Sequence, residues 1–101
     1  MKKIIGGKKY DTGTAQCVGT DGYSRAGDFH RWTEKLYQKN SGVFFLCGEG
    51  GPLSHYGRRD GQNGFIGGEK VIPYTIEEAK EWAEKHLDAD EYEEIFGEVE
   101  E

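Results

Sequence analysis

The residues of this chain able to do chemistry are few, and their spacing builds no known catalytic arrangement. Cysteines occur only at Cys17 and Cys47, and histidines only at His30, His55 and His86. A structural zinc site takes about four Cys/His ligands in close-spaced pairs, and no pair here has that spacing. Two cysteines thirty positions apart read as reduced, partly buried thiols rather than a disulfide scaffold. Ser54-His55, with Cys47 upstream, offers a nucleophile and a base but no third group to orient the base. Asp28 and His30 form an acid–base pair with the same shortcoming. Gly48-Glu49-Gly50-Gly51 has the glycines of a phosphate loop but lacks the following Lys-Ser/Thr and helix. No catalytic residue, metal or cofactor is therefore expected, and the chain reads as non-enzymatic.

Charge carries more information. The 101 residues hold 13 Lys/Arg and 19 Asp/Glu, a net charge of −6, and only 35% of them are hydrophobic. Residues 1–74 carry eleven basic and seven acidic side chains, net +4. Residues 75–101 carry Lys80 and Lys85 against twelve carboxylates, net −10. A mildly basic body (1–74) thus bears an acidic C-terminal segment (75–101) within one domain, and an acidic segment of this kind either solvates the chain or meets a basic partner. If the last helix ran on through Gly97, then Glu91, Glu94, Glu98 and Glu101 would share one face, about 4.5–6 Å apart along the axis. Such a row imitates a phosphate backbone. In the body, Arg31, Lys35 and Tyr37, with Arg58 and Arg59 after Tyr56, interleave cations with aromatics in the manner of a nucleic-acid grip.

These side chains need a frame. Gly6-Gly7 between Lys3-Ile4-Ile5 and Lys8-Lys9-Tyr10 predicts a hairpin, because both turn residues need positive φ. A helical turn is expected within residues 12–18, and a loop at 19–22. Trp32 to Lys39 and Val43 to Cys47 flank Asn40-Ser41-Gly42, a second hairpin with Gly42 in the left-handed region. With Lys39 opposite Val43, Leu36 pairs with Leu46 and Gln38 with Phe44, while Tyr37 pairs with Phe45 and Lys35 with Cys47. Both faces are then apolar and both need cover. A helix supplies one cover; the other is the long loop, or else an open binding or dimerisation surface.

That loop, Gly48 to Gly68, holds eight glycines, with short strands expected near residues 54–56 and 65–66. Lys70 to Tyr74 reads as an edge strand, since Pro73 cannot donate to a ladder. Thr75-Ile76-Glu77-Glu78 is a capping box, followed by an apolar stripe of Ile76, Ala79, Trp82, Ala83 and Leu87. Asp88 with Glu91 caps a second helix over 89–96. The fold class is α+β: a small antiparallel sheet built from hairpins, with the C-terminal helices on one face. No apolar run approaches the roughly 20 residues of a membrane span. Residues 1–7 lack a signal peptide's apolar core, so a cytoplasmic location is expected.

Met1-Lys2-Lys3-Ile4-Ile5, Tyr10-Asp11-Thr12, Leu36-Tyr37, Gly42 to Leu46, Gly48-Glu49-Gly50-Gly51-Pro52, Glu78-Ala79-Lys80 and Glu91-Tyr92-Glu93-Glu94 resemble a group of roughly 100-residue proteins. The group is carried on conjugative elements and phages of Gram-positive gut bacteria. Its members resemble cargo found near antirestriction genes. The resemblance implies an anti-defence role, with a host nucleic-acid-handling complex as partner, met through the acidic face. The residues leave two other readings open. One is a small nucleic-acid-binding regulator using the basic–aromatic hairpin. The other is a small-ligand or enzymatic site under the 48–68 loop.

Overall fold

The structure, a computed structural model, describes residues 1–25, 27–62 and 64–101. Asn63, inside the predicted 48–68 loop, lies outside the described residues. Among the described residues the chain forms eight strands and two helices: β1 (Lys2–Ile5), β2 (Lys8–Asp11), β3 (Gln16–Tyr23), β4 (Trp32–Gln38), β5 (Phe44–Gly50), β6 (Arg58–Asp60), β7 (Gly64–Ile66), β8 (Gly68–Tyr74), α1 (Ile76–His86) and α2 (Ala89–Phe96). The central sheet is antiparallel with strand order β3-β4-β5-β8; β1 with β2, and β6 with β7, form separate two-stranded ribbons. Among the described residues, no helix is long and apolar enough to cross a membrane.

The centre of the sheet follows from the Asn40-Ser41-Gly42 turn. Gly42 sits at φ +95°, and the Lys39 amide donates to the Val43 carbonyl at 2.8 Å. That register pairs Leu36 with Leu46, Gln38 with Phe44, Tyr37 with Phe45 and Lys35 with Cys47, as the turn length predicts. Strand side chains alternate between faces, so one face carries Leu36, Phe44 and Leu46 and the other carries Tyr37, Phe45 and Cys47. The capping box at Thr75 forms in full: its hydroxyl accepts the Glu78 amide at 3.1 Å, and Glu78 Oε1 accepts the Thr75 amide at 2.9 Å. The box at Asp88 and Glu91 forms likewise. The helices then cover the first face, where Ala79, Trp82 and Ala83 bury against Leu36, Phe44 and Leu46, with Ile95 and Phe96 alongside. Ile76, expected in this stripe, is half exposed.

The second face is covered by the N-terminal hairpin rather than by the long loop. The β1–β2 hairpin lies across it, with Tyr10 against Phe45 and Val71 and the Tyr10 and Phe45 rings meeting edge-on at 5.4 Å. Gly6 and Gly7 make the hairpin turn at φ +58° and +78°. β8 is a sheet edge, as Pro73 requires.

Two expectations are overturned at the start of the chain. Residues 12–18 are not helical: Thr12 to Ala15 form a turn held by Asp11, and β3 begins at Gln16. Residues 19–22 are strand, not loop. Their two glycines mark close approach instead of a break: a Cβ at Gly19 would fall 2.8 Å from Leu87 and 3.2 Å from Trp82, so its absence lets α1 sit on β3. The long loop is only partly irregular, since β6 and β7 pair within it. Strand structure is found at 65–66, whereas 54–56 is turn.

Replacement of Leu36, fully buried between sheet and helices, by Ala is expected to cost about 2–5 kcal/mol in urea unfolding, while Val43→Ala at the exposed turn stays within about 0.5 kcal/mol. A loss at Leu36 no larger than at Val43 would contradict this account of the core.

Candidate functional site

The acidic row expected on the last helix is not continuous. α2 stops at Phe96, where Gly97 turns to φ +92°, a left-handed conformation that glycine adopts without strain. Glu91 and Glu94 remain on α2, but Glu98 and Glu101 lie beyond it, so the four do not share a helical face. Glu91 is also occupied in capping Asp88. Past the helix the chain turns back, and the Val99 amide donates to the Glu93 carboxylate at 2.9 Å.

The continuous acidic row lies on α1 instead. Glu77, Glu81 and Glu84 fall at intervals of four and three residues within α1, and all three are exposed. At 1.5 Å per residue they span about 10 Å, one charge per 5–6 Å. One strand of B-DNA carries a charge every 3.4 Å or so, so the stripe is a thinner line of the same sign. Among the described residues, no Lys or Arg lies within 4.0 Å of a carboxylate; only the histidines make such pairs. The acidic helices are thus not neutralised by the basic body.

The basic–aromatic set is divided by the structure. Arg31, Lys35 and Tyr37 alternate onto the hairpin-covered face, where the Tyr37 ring stacks on Phe45 at 5.3 Å. Arg31 and Arg58 reach one groove together with Lys3. Lys35 and Tyr37 line the depression next to it. Arg59 is exposed on β6 and lines neither.

The nucleophilic pairings do not form. Ser54 Oγ donates to the Gly51 carbonyl at 2.8 Å, and His55 turns to Glu34 rather than to Ser54 or Cys47. Cys17 is exposed rather than partly buried, Cys47 is half-buried, and both are unpaired; burial pushes the Cys47 thiol up. Asp28 accepts the His30 amide at 2.8 Å and the Tyr23 hydroxyl at 2.5 Å, and its other close neighbour is the His30 ring, Nδ1 at 3.2 Å, in an exposed local turn. The space under residues 51–57 is filled by Tyr56, which is buried.

Sequence reasoning missed Glu34, the one buried charge among the described residues. Glu34 lies on β4 two residues before Leu36, on the face that meets the helices, and its carboxylate collects donors from α1 and from the 51–57 turn. Trp82 Nε1 of α1 donates to Oε1 at 2.8 Å. The Tyr56 hydroxyl donates to Oε2 in a short bond, and His55 Nε2 lies 3.3 Å from the same oxygen. His86, stacked on Trp82 at 4.8 Å, brings Nε2 to 3.9 Å from Oε1, and its Nδ1 donates to Asp21 of β3 at 2.7 Å. Gly48 makes this possible. It stands opposite Glu34 in the ladder, and a Cβ there would fall 2.0 Å from the Tyr56 ring, so only glycine leaves the slot through which Tyr56 reaches the carboxylate.

Burial alone would raise the Glu34 carboxyl. The bonds from Tyr56, Trp82 and His55, with the nearby His86, outweigh it and hold the group below its ordinary 4.5. Burial first, then the bond to Glu34, pushes the Tyr56 hydroxyl well above its ordinary value. Asp21 is lowered chiefly by its bond from His86. Three hydrogen bonds reach the Glu34 carboxylate, with His86 close by, and no grouping of three His, Cys, Asp or Glu able to hold a metal occurs among the described residues. The arrangement does mechanical work: it ties β3, β4, the 51–57 turn and α1 together, and so fixes the angle at which the acidic stripe is held.

Comparison with protein-family models, curated proteins and solved structures finds no match to the chain.

At pH 7, Glu34→Gln should destabilise the fold by about 1–3 kcal/mol, because one amide oxygen cannot serve the donors left behind. A carboxyl depressed by folding stabilises fully above its unfolded value near 4.5, and the contribution is lost as pH falls through the lowered folded value. The gap between wild type and Glu34→Gln should therefore narrow below about pH 4.5 in denaturant titrations. A gap of constant size from pH 7 to 3 would show that ionised Glu34 is not what secures these elements.

Proposed function

We propose that the chain is a non-enzymatic binding protein, cytoplasmic and carried by a mobile element, that lays its acidic helical layer on a basic surface of a host nucleic-acid-handling complex of the restriction or CRISPR-effector type. The single observation behind this reading is the exposed stripe of Glu77, Glu81 and Glu84 along α1, with no Lys or Arg within 4.0 Å of it among the described residues. Four further features agree with it. The stripe belongs to a segment of net charge −10 on a body of net charge +4. Its helix is anchored at both ends, by the Thr75 capping box and by the Trp82 and His86 contacts to the sheet. A row of carboxylates held rigidly is pre-organised, so less conformational entropy is lost on docking than from a mobile tail. Finally, the resemblance to cargo found near antirestriction genes points to the same class of partner.

The mechanism that follows is competition by charge. A basic channel built for a phosphate backbone attracts the stripe over a Debye length of about 8–10 Å at physiological salt, and the attraction weakens as salt rises. Occupation by a folded helix then excludes the nucleic acid.

The test is retrieval of the tagged protein from lysate of a Gram-positive bacterium after nuclease treatment, with Glu77→Gln/Glu81→Gln/Glu84→Gln alongside. These three side chains cap nothing and bury nothing, so the variant should fold. Three exposed charge contacts at about 0.5–1 kcal/mol each predict that it holds the partner about 10- to 100-fold more weakly. Equal retention of one nuclease-resistant partner by both proteins would contradict docking through α1.

A further inference from the structure

The face of the sheet opposite α1 and α2 carries a second charged feature that the docking layer does not use. Strand alternation places Arg31, Thr33, Lys35 and Tyr37 along one row of the chain, and Glu49 and Glu69 directly opposite each other across β5 and β8. At the end of this face a groove of about 450 Å³ opens between the β1–β2 hairpin, the start of β4 and β6, lined by Lys3, Arg31 and Arg58 together with Glu49 and Glu69. Its size lies within the roughly 300–1,000 Å³ of ligand-binding clefts. A smaller depression of about 180 Å³, lined by Lys35 and Tyr37, shares Glu49 and Glu69 with it, so the two are contiguous.

Two properties mark the groove as more than a chance meeting of surface side chains. Its three cations come from three separate segments, and among the described residues none of them lies within 4.0 Å of a carboxylate, although two glutamates line the same groove. Its floor is bare backbone, made by Gly50, Gly67 and Gly68. Packing requires these glycines: a Cβ at Gly50 would fall 2.8 Å from the Arg31 carbonyl, one at Gly67 would fall 2.7 Å from the Gly50 carbonyl, and one at Gly68 would fall 2.2 Å from the Tyr56 carbonyl. Two of the cations are guanidinium groups suited to bidentate contact with phosphate oxygens.

We propose that this groove takes the phosphodiester backbone of a single nucleic-acid strand, with phosphates held by Lys3, Arg31 and Arg58 and the strand continuing past Lys35 and Tyr37. Cations beside aromatic side chains are a recurring means of holding a single strand without reading its sequence, and Tyr37 here is half-buried against Phe45. The glutamate pair repels the strand on one side and so confines it to the cationic side. The proposal stands apart from docking through α1, since the two surfaces lie on opposite faces of the sheet.

The test is fluorescence anisotropy of a labelled 12-residue oligothymidylate with the full chain, over a series of salt concentrations. Three phosphate contacts on a single strand predict a slope of log K against log salt near −2, and Arg31→Ala/Arg58→Ala should reduce it to about −0.7 with at least a roughly tenfold loss of affinity at low salt. Both arginines are exposed, and thermal unfolding of the variant should match the wild type. Lys8→Ala/Lys9→Ala removes two charges from the hairpin outside the groove and should leave the slope unchanged. No binding at low salt would overturn the proposal, as would an equal loss in the two double variants, which would make the attraction diffuse. Binding of inorganic pyrophosphate that depends on Arg31 and Arg58, without binding of the oligonucleotide, would overturn the strand as occupant and leave a site for free phosphate.

Discussion

A sheet whose central strands are apolar on both faces cannot stand in water, and most of this structure answers that constraint. Leu36, Phe44 and Leu46 must be covered on one side, Phe45 and Tyr37 on the other. With only 35% hydrophobic residues, the chain has one amphipathic helix pair for the first face and one small hairpin for the second. The division of charge follows. The helix pair that closes the first face carries nearly all the surplus carboxylate, and the hairpin that closes the second carries lysines. Covering the two faces with two different elements therefore gives the molecule an acidic side and a more basic side.

Glu34 sets the precision of that arrangement. A carboxylate on a core face is costly unless its lone pairs are satisfied, and here they are satisfied by groups from the 51–57 turn and from α1. Apolar packing alone lets a helix slide on a sheet; hydrogen bonds from Trp82 to Glu34 and from His86 to Asp21 do not. The buried charge thereby fixes how α1 and the 51–57 turn meet the sheet. Its reach to the surface is short, since Trp82 and Glu81 are neighbours on α1.

The parts of the fold legible in the sequence are those with local causes. The β4–β5 register followed from a three-residue turn with glycine last, and both helices followed from their capping boxes. The helix expected at 12–18 failed because Thr12 to Ala15 has no apolar stripe, and a turn anchored by Asp11 costs less. The loop expected at 19–22 failed because glycine there signals close packing against Leu87, a non-local fact. The acidic row expected on the last helix needed Gly97 to be helical, and α2 ends before it, while Glu77, Glu81 and Glu84 have the spacing within α1. Glu34 was within reach. Once Leu36 faces the helices, period two places Glu34 on the same face and Gly48 opposite it, and a carboxylate there with a glycine partner predicts donors entering from outside the strand pair. Which donors enter depends on the 51–57 turn, and no local rule shapes that turn.

The central claim is that a rigid acidic helix face is the docking surface. Amide hydrogen exchange on the protein alone and in complex with its captured partner tests it most directly. The account predicts added protection along α1 and the α1–α2 junction, with the β1–β2 hairpin unchanged. Protection confined to the hairpin and the β6–β7 ribbon, with α1 exchanging as in the free protein, would contradict it.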